Sequence, residues 1–432
     1  MSNKPILQVA LDLMNLHRAL QIAKEAVEGG VDWVEAGTPL IKSEGLNCIR
    51  ELKKAFPSHT IVADMKTMDV GTIEVEMASK AGADVISIMG VADDSTILEA
   101  VKASRRYGAR IMVDLLGTTD PLKRARDVVK FGADYVCLHV GVDQQMRKVN
   151  SLEDVRMVAK NIDIPVAAAG GLNQETALEV VSAGASIVIV GGAIIKSSNV
   201  TEAASSLKKV LTEGKTIPSK LFRKYSQEEL REAFFKVSTP NIADAMHTKG
   251  AMKGIIPRIK HGTRMVGKAI TVKTMDGDWA KPVEAIDRCE KEGVIVIDAG
   301  GAYIAIWGEL ASWSCKKKGI AGVVIDGAAR DIDDILKMEF PVFSKHIAPN
   351  AGEPKGFGEI GCEIVCGGQL VRSGDWVVGD ESGVVVIPKE EAVEVANRAL
   401  DVHERENRIR EEIKRGSTLS SVLKLEKWEK VG

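Results

Sequence analysis

The segment Gly82-Ala83-Asp84-Val85-Ile86-Ser87-Ile88-Met89 joins a turn of small residues to a short aliphatic run. Similar turns recur as Gly30-Val31-Asp32, Gly132-Ala133-Asp134 and Gly184-Ala185-Ser186, so that successive turns lie 52, 50 and 52 residues apart. Each interval is long enough for two strands and two amphipathic helices. Four such units predict an eight-stranded (β/α)8 TIM barrel. An open α/β sheet is the alternative, but it offers no reason for a fourfold repeat.

The predicted barrel occupies residues 1–213, and its strands end in polar residues. The predicted strands are 7–12, 32–36, 60–66, 84–89, 110–115, 135–140, 165–169 and 187–190. In a TIM barrel the chemistry is located at the carboxyl ends of the strands. We therefore expect the site to include the polar residues found there, which are Asp12, Glu35, Asp64, Lys66 and His139. Asp114 also falls late in a strand, but the pattern assigns it no role.

The composition narrows the class of substrate. The chain has 432 residues, of which 45% are hydrophobic and 27% charged, which is enough apolar mass for two or three domains. Its net charge of -2 provides no broad basic field for nucleic acid or anionic lipid. No apolar run approaches the roughly 20 residues of a membrane helix. We expect a cytoplasmic protein with a small charged substrate, and we expect its six cysteines to be buried thiols.

The hexamer Asp64-Met65-Lys66-Thr67-Met68-Asp69 ends the third predicted strand. Residues two apart in a strand face the same side, so Asp64 and Lys66 are expected to point together into the barrel mouth. Asp69 follows on the loop and could complete an acid-base-acid array here or in a neighbouring subunit. A lysine held among carboxylates stays charged and can donate a proton or stabilise an enolate. A purely structural ion pair is the alternative.

Three further features of the barrel suggest chemistry. Glu35 and Asp64 end adjacent strands and offer hard oxygen ligands for Mg²⁺, which could bind an enediolate, although Glu35 could also simply face water. His139 could exchange a proton near neutral pH or be structural. Glycine pairs follow the last two strands, where barrel enzymes bind phosphate through backbone N–H groups, or they serve only as tight turns. These pairs are Gly170 with Gly171 and Gly191 with Gly192.

Residues 5–212 resemble the 3-hexulose-6-phosphate synthase family. The segments that carry the resemblance are Val9-Ala10-Leu11-Asp12, Val34-Glu35-Ala36-Gly37-Thr38-Pro39-Leu40, Ala63-Asp64-Met65-Lys66-Thr67-Met68-Asp69, His139-Val140-Gly141-Val142-Asp143 and Ala169-Gly170-Gly171. The resemblance implies a reversible, Mg²⁺-dependent aldol condensation of formaldehyde with ribulose 5-phosphate. The related 3-keto-L-gulonate 6-phosphate decarboxylases carry an arginine after the histidine. Residues 140–145 contain none, so the synthase is favoured and the decarboxylase is the alternative.

The resemblance also implies a role for each site residue. Glu35 and Asp64 would bind Mg²⁺, and Asp12 would bind substrate hydroxyls. Lys66, His139 and Asp69 would manage protons and the enediolate. The family is dimeric, with Asp69 serving the partner's site, so we expect a homo-oligomer.

The repeat stops after residue 213, and three further regions follow. Residues 214–236 are predicted to form a linker and a helix, which opens with a capping box at Ser226. Irregularly spaced strands over residues 237–390 predict a layered α/β domain rather than a second barrel. Residues 391–432 alternate acids and bases with apolar residues at helical intervals. We expect this tail to be a solvated helix at a subunit contact. A basic, aromatic stripe for nucleic acid is the disfavoured alternative, because acids alternate with the bases.

The chemical signal of the second half is Val324-Ile325-Asp326-Gly327-Ala328-Ala329-Arg330-Asp331. Arg330 offers a fork for a carboxylate and Asp331 a metal ligand, which suits an α-keto acid, although a surface charge cluster is the alternative. Glu309 precedes Arg330 by twenty intervening residues. This spacing resembles the RraA-like family over residues 236–390, although that family more usually has aspartate at the position of Glu309.

The RraA-like resemblance implies one of two functions. A class II 4-hydroxy-4-methyl-2-oxoglutarate aldolase would bind a pyruvyl carboxylate at Arg330 and magnesium at Asp331. The backbone N–H groups of Glu309 and Leu310 would then support the enolate. A regulator of ribonuclease activity would instead use this domain as a protein-binding scaffold. RraA-like proteins form trimers or hexamers, so the resemblance also implies a larger assembly.

Overall fold

The computed structural model describes residues 4–141, 152–217 and 223–423. The chain forms two compact units, one of Met1–Lys224 with Glu404–Gly432 and one of Tyr225–His403. The first unit is therefore built from two stretches of chain that are far apart in sequence.

Eight parallel strands close into a barrel in sequence order. They are β1 (Ile6–Leu11), β2 (Trp33–Ala36), β3 (Thr60–Thr67), β4 (Val85–Met89), β5 (Arg110–Asp114), β6 (Tyr135–His139), β7 (Val166–Ala169) and β8 (Ile187–Val190). Pairing of β1 with β8 closes the barrel, so the predicted TIM barrel is confirmed and the open sheet is excluded. The predicted strand ends differ from those observed by one residue at most.

Helices cover the outside of the barrel and leave a separate core inside it. The helices of this part are α1 (Leu16–Glu28), α2 (Thr38–Glu44), α3 (Asn47–Ala55), α4 (Gly71–Ala81), α5 (Asp94–Tyr107), α6 (Pro121–Phe131), α7 (Leu152–Ala159), α8 (Ala177–Ala183), α9 (Gly192–Ile195) and α10 (Val200–Glu213). Alternate strand residues face the helices, while the others, including Trp33 and Tyr135, form the inner core. Small residues of that core, Ala10, Ala167 and Ala169, leave room for polar side chains near the carboxyl ends of the strands.

The turn repeat has a structural cause in three of its four copies. The carboxylates of Asp32, Asp84 and Asp134 accept hydrogen bonds of 2.7, 2.7 and 2.8 Å from the backbone N–H groups of Leu7, Ile61 and Ile111. Each aspartate thus precedes one strand and caps the start of its neighbour. A cap of this kind satisfies a backbone donor that the strand ladder leaves unpaired. The repeat therefore sets strand pairing as well as chain reversal.

The second unit is a layered α/β domain built on a nine-stranded mixed sheet. Its main strands run in the order β19-β18-β10-β11-β13-β14-β9, with β12 and β15 beside β13 and β10. The strands are β9 (Ile256–Arg258), β10 (Met265–Lys273), β11 (Val294–Asp298), β12 (Ala305–Trp307), β13 (Gly322–Ala329), β14 (Val342–Ile347), β15 (Glu359–Ile360), β18 (Trp376–Asp380) and β19 (Gly383–Ile387), with a separate pair, β16 (Ile364–Cys366) and β17 (Gln369–Val371). The predicted layered α/β domain is confirmed.

Seven further helices are described after residue 224: five lie in the second unit, one runs from it into the barrel unit, and the last belongs to the barrel unit. They are α11 (Leu230–Lys236), α12 (Thr239–Ala245), α13 (Ala280–Arg288), α14 (Glu309–Lys318) and α15 (Ile332–Met338), followed by α16 (Ala392–Lys414) and the short α17 (Leu419–Leu423). The predicted capping box at Ser226 is present on a single 3₁₀ turn before α11. No helix in the described ranges has the length and apolar character needed to span a membrane.

The helical tail is not the solvated helix that the sequence suggests. Residues of the first half of α16, such as Ala396 and Ala399, are fully buried. In its second half the charged residues Arg408 and Glu412 are buried as well. Arg408 and Glu412 are therefore partners in a packed ion pair, which the charge pattern alone cannot distinguish from the exposed pairs of a surface helix.

Candidate active site

The barrel mouth is organised around Lys66, whose backbone is strained. The pairing of β3 with β4 shifts register between Ala63 and Thr67, and Lys66 has φ of 52°. A left-handed conformation is unfavourable for a residue with a side chain, and such strain is typical of functional sites. Asp64 and Lys66 do converge as expected. They do so through an irregularity of the strand rather than through the simple alternation on which the expectation rests.

Lys66 lies between two carboxylates. Its Nζ contacts Asp64 Oδ1 at 2.7 Å and Asp114 Oδ2 at 2.8 Å. The same Asp114 Oδ2 lies 3.0 Å from Nδ1 of His139. These four side chains, which we call the mouth network, link the ends of β3, β5 and β6. The sequence pattern assigned Asp114 no role, although its position at the end of a strand could have identified it as a site residue.

Electrostatics keep Lys66 and Asp114 charged. Burial alone would lower the pKa of Lys66, but the charges of Asp64 and Asp114 and their hydrogen bonds outweigh it and raise the pKa well above its usual range. Burial alone would likewise raise the pKa of Asp114. The hydrogen bond and charge of His139, together with Lys66, lower it to about 2. The ammonium and the Asp114 carboxylate therefore both stay ionised at neutral pH.

Asp64 is fixed by more than Lys66. Thr38 Oγ1 donates to its Oδ2 at 2.8 Å, and Ser87 Oγ donates to its Oδ1 at 2.7 Å. Neighbouring β2 contributes Glu35, which is only 6% exposed and accepts a hydrogen bond from Gln8 Nε2. Burial, followed by the charges of Asp64 and Asp12, raises the pKa of Glu35 well above its usual range.

The residues present fit a magnesium ion held by two carboxylates. Among the described residues, no group of three or more His, Cys, Asp and Glu side chains could hold a metal. Magnesium, however, usually keeps several waters and takes only one or two carboxylates from the protein. The buried Glu35 carboxylate is disfavoured in its charged form, and a cation beside Glu35 and Asp64 would offset that cost. The chemistry of the donors therefore suits the ion that the sequence analysis expects.

Asp12 and the two glycine pairs border the same mouth. Asp12 reaches solvent yet is closely surrounded by protein, and this crowding and the charge of Asp64 raise its pKa. A Cβ on Gly191 would lie 3.4 Å from Asp12 Oδ2, so the loop after β8 adjoins this carboxylate. Gly170 has φ of 100° and would place a Cβ 2.2 Å from the carbonyl oxygen of Val140. Gly171 and Gly192 complete the pairs at the ends of β7 and β8.

Asp69, the last residue of the predicted acid-base-acid array, is not a member of the mouth network. It is exposed, and its Oδ1 accepts a hydrogen bond of 2.7 Å from the N–H of Val70. The loop around it is apolar, since Met68 and Val70 are each about half exposed. Residues 142–145, part of the segment used to separate synthase from decarboxylase, lie outside the described residues.

A second group of predicted residues converges in the other unit. Arg330 Nε lies 3.4 Å from Asp331 Oδ2, and the N–H of Glu309 donates to the same oxygen at 3.3 Å. A Cβ on Gly308 would lie 2.6 Å from that oxygen, which explains the glycine before α14. Asp331 has φ of 56°, a second strained non-glycine residue at a candidate site. The backbone N–H of Leu310 was expected to support the enolate. Leu310 lies in the first turn of α14, and its side chain is exposed.

Comparisons with known proteins agree with the two units. Residues 5–207 match the family model described as Orotidine 5'-phosphate decarboxylase / HUMPS family, and residues 239–386 match the one described as Aldolase/RraA. The 3-hexulose-6-phosphate synthase of Bacillus subtilis (strain 168) is 39% identical over 209 residues, which cover 48% of this chain and 99% of that protein.

Two further similarities are to 3-hexulose-6-phosphate synthases. The 3-hexulose-6-phosphate synthase of Mycobacterium gastri is 42% identical over 202 residues, covering 47% of this chain and 97% of that protein. A solved crystal structure of 3-hexulose-6-phosphate synthase is 42% identical, covers 47% of this chain and 98% of its own, and has a TM-score of 0.45. Through its barrel the chain therefore belongs to the 3-hexulose-6-phosphate synthase family of lyase-type enzymes, and it carries an RraA-like domain fused to that barrel.

Proposed function

We propose that the barrel catalyses the reversible, Mg²⁺-dependent aldol condensation of formaldehyde with ribulose 5-phosphate. The observation that carries the proposal is Lys66 held between Asp64 and Asp114, with His139 on the far side of Asp114. An aldol reaction of a ketose needs a group that removes a proton from carbon and a cation near the developing enediolate. The mouth network supplies candidates for both within one hydrogen-bonded set.

Each residue has a distinct part in this proposal. Magnesium bound by Glu35 and Asp64 would supply Lewis-acid charge. His139, oriented by Asp114, would exchange the proton at the substrate carbon. The Lys66 ammonium would donate hydrogen bonds to the enediolate oxygen, and Asp12 would bind substrate hydroxyls. The backbone N–H groups of the two glycine pairs would bind the phosphate. A phosphorylated sugar does not cross a membrane unaided, which favours a cytoplasmic reaction.

The test is an assay of the full-length chain with ribulose 5-phosphate and formaldehyde, with and without magnesium. We expect magnesium-dependent consumption that falls at least about 10³-fold in Lys66→Ala and Asp64→Ala, because both charges act on the transition state. A cooperative thermal transition above the assay temperature would show that each variant, even if less stable than the wild type, is folded during the assay. Equal turnover by Lys66→Ala would contradict the proposal. If the wild type consumes nothing, 3-keto-L-gulonate 6-phosphate tests the decarboxylase alternative.

We further propose that the barrel pairs with a second copy of the chain and that Asp69 serves the partner's site. Asp69 is exposed and lies between Met68 and Val70, and α4 adds the exposed apolar residues Ile73 and Met77. A contiguous apolar surface of this kind is typical of a subunit contact.

Mixing two inactive variants tests the shared site. In an equal mixture of Lys66→Ala and Asp69→Ala chains, half of the dimers are mixed, and each mixed dimer holds one site with both native residues. Activity should therefore recover to about a quarter of the wild-type value after the subunits exchange. If Asp69 served its own chain's site, or if the protein stayed monomeric, mixing would restore nothing.

For the RraA-like domain we propose magnesium-dependent aldol cleavage that releases pyruvate from a hydroxy-keto acid. Support comes from the convergence of the Glu309 N–H, Arg330 and the strained Asp331 at one point. Arg330 would bind the pyruvyl carboxylate, Asp331 would hold magnesium, and the N–H groups of Glu309 and Leu310 would support the enolate. The large exposed residues Leu310 and Trp313 beside this point favour assembly into a trimer or hexamer.

Arg330→Ala tests this second activity. We expect loss of pyruvate release from 4-hydroxy-4-methyl-2-oxoglutarate or oxaloacetate, with the barrel reaction as the folding control. If the wild type releases no pyruvate from either substrate, the remaining hypothesis is that this domain is a protein-binding regulatory scaffold. Retention of a ribonuclease by the immobilised domain would then be the measurement.

A further inference from the structure

The end of helix α16 packs onto the barrel unit through buried charges. Arg408 is 2% exposed and its Nε donates to Glu412 Oε1 at 3.0 Å. The same oxygen accepts a hydrogen bond of 2.8 Å from Arg18 of α1. Arg408 also lies 3.6 Å from Glu25, again on α1. We call residues 404–415, which carry these contacts, the strap.

The strap also holds the chain that follows β8. Arg408 Nη1 donates to the carbonyl oxygen of Ser197 at 3.4 Å, and Arg415 Nη2 donates to that of Ser198 at 3.3 Å. Ser197 is itself buried, and its Oγ donates to the carbonyl oxygen of Asn199 at 3.0 Å. Two guanidinium groups thus bind consecutive carbonyl groups of one loop. We call residues 191–199 the β8 segment.

The other end of the β8 segment borders the barrel mouth. Gly191 adjoins the Asp12 carboxylate, and the N–H of Lys196 donates to the carbonyl oxygen of Gly192 at 3.0 Å. Lys196 and Ser198 line a cleft of about 250 Å³ together with Glu404 and Asn407 of the strap. Burial and Asp64 raise the pKa of Asp12, and the charge of Lys196 is among those that counteract this rise. One short segment therefore connects the strap with the mouth.

The match to the B. subtilis synthase and the match to the family model do not extend to the strap. The B. subtilis protein is matched over 99% of its length by 209 residues, and the matched family region of this chain ends at residue 207. The strap begins almost two hundred residues later. It is therefore an addition that this chain makes to the barrel.

We propose that the strap fixes the β8 segment in the conformation that binds the substrate phosphate, with Arg408 as the positioning residue. This inference rests on the proposed function, in which Gly191 and Gly192 bind that phosphate. A buried arginine with several acceptors restricts the loop before the substrate arrives, so the loop need not be ordered on binding. Arg408 touches no substrate and acts only through the segment.

The test compares Arg408→Gln with Arg405→Gln in the full-length chain. Arg405 lies on the same helix but is exposed, so its variant controls for loss of one positive charge. For Arg408→Gln we expect the KM for ribulose 5-phosphate to rise about tenfold, with kcat changed less than about twofold, because a charged hydrogen bond that organises binding is lost. Arg408→Lys should restore part of the affinity. Arg405→Gln should match the wild type.

Hydrogen exchange supplies a second measurement that does not need turnover. Backbone amides of residues 191–199 should exchange faster in Arg408→Gln than in Arg405→Gln. Faster exchange confined to the strap, with an unchanged KM, would overturn the inference, as would a fall in kcat alone. If Arg408→Gln does not fold, Arg415→Gln takes its place, with a smaller rise in KM of about threefold expected from an exposed partner.

Calorimetric binding of ribulose 5-phosphate separates this inference from the proposed function. If the wild type binds the sugar phosphate but forms no product with formaldehyde, the proposed function fails. The strap inference then stands or falls on whether Arg408→Gln weakens that binding. If the wild type binds no sugar phosphate, the strap inference is refuted along with the proposed function.

Discussion

The two candidate sites of this chain differ in how firmly their own residues hold them. In the mouth network the side chains of Lys66 and Asp114 are 20% and 4% exposed, and each makes two charged contacts of 3.0 Å or less. In the RraA-like domain Arg330 and Asp331 are 43% and 39% exposed and meet at 3.4 Å. The first site is preorganised by one chain, whereas the second has charged groups that remain open to a ligand.

This difference indicates where substitution should matter most. Removing one member of a buried ion pair leaves an unpaired charge, which is strongly destabilising, whereas exposed pairs contribute little. The mouth network should therefore respond to single changes in stability as well as in rate. Substitutions at the Arg330 site should change the reaction rate but not the stability of the fold.

Asp114→Asn should give the largest effect on catalysis among residues that need not touch substrate. The amide keeps the shape but loses the charge that orients His139 and pairs with Lys66, so kcat should fall about 10²-fold. Steady-state assay of condensation, with Asp127→Asn on α6 as the control, measures this. An unchanged kcat would show that the network is structural and would weaken the contrast between the sites.

The contribution of Asp114 to stability should depend on pH in the acid range. The ordinary pKa of Asp114 is 3.8 and its folded value is about 2, so its contribution to stability is present above pH 3.8 and is lost as the pH falls through 2. The contribution corresponds to about 2 kcal/mol at neutral pH. Denaturant unfolding of wild type and Asp114→Asn across this pH range tests it. If the free energies of unfolding of the two proteins differ by the same amount at every pH, the lowered pKa of Asp114 does not contribute to stability.

Glu35→Gln should have the opposite sign for stability. A carboxyl whose pKa is raised on folding costs stability above its unfolded pKa, so the neutral amide should raise the free energy of unfolding at neutral pH. The gain should vanish in acid, where both states are protonated. Magnesium-dependent condensation should be lost. Glu28→Gln, at an exposed position of α1, is the control for thermal unfolding.

Arg330→Gln should produce the smallest change in stability. Because the guanidinium is exposed and weakly paired, the free energy of unfolding should change by less than about 0.5 kcal/mol. Thermal unfolding of the full chain, compared with Lys66→Met, measures the difference directly. A large loss at Arg330 would mean that the second site is held as firmly as the first.

The sequence predicts the fold of this chain better than it predicts the contacts within its sites. The glycine and aspartate turns reveal the barrel because their spacing is local and periodic. The same pattern hides that Asp32, Asp84 and Asp134 cap neighbouring strands, which is visible only once strands pair. The left-handed Lys66 and the central place of Asp114 likewise depend on side-chain geometry that no spacing rule contains.

The tail was beyond sequence reasoning for a related reason. A charged helix is predicted to be solvated unless the partners of its charges are known. The carbonyl oxygen of Ser197, which accepts a hydrogen bond from Arg408, is 211 residues away in the chain, so the sequence gives no sign of it. Periodicity reports which face of a helix is polar. It does not report which distant segment covers that face.

The division of the barrel unit between both ends of the chain affects how the protein is made. A ribosome releases the eight strands early, but residues 404 onward emerge only after the whole of the RraA-like domain. After the barrel strands are made, the partners of Arg408 on α1 therefore stay uncovered while the 179 residues of the second unit are synthesised. No single cut in the gene yields two complete units, so separate expression of the domains requires joining residue 224 to residue 404.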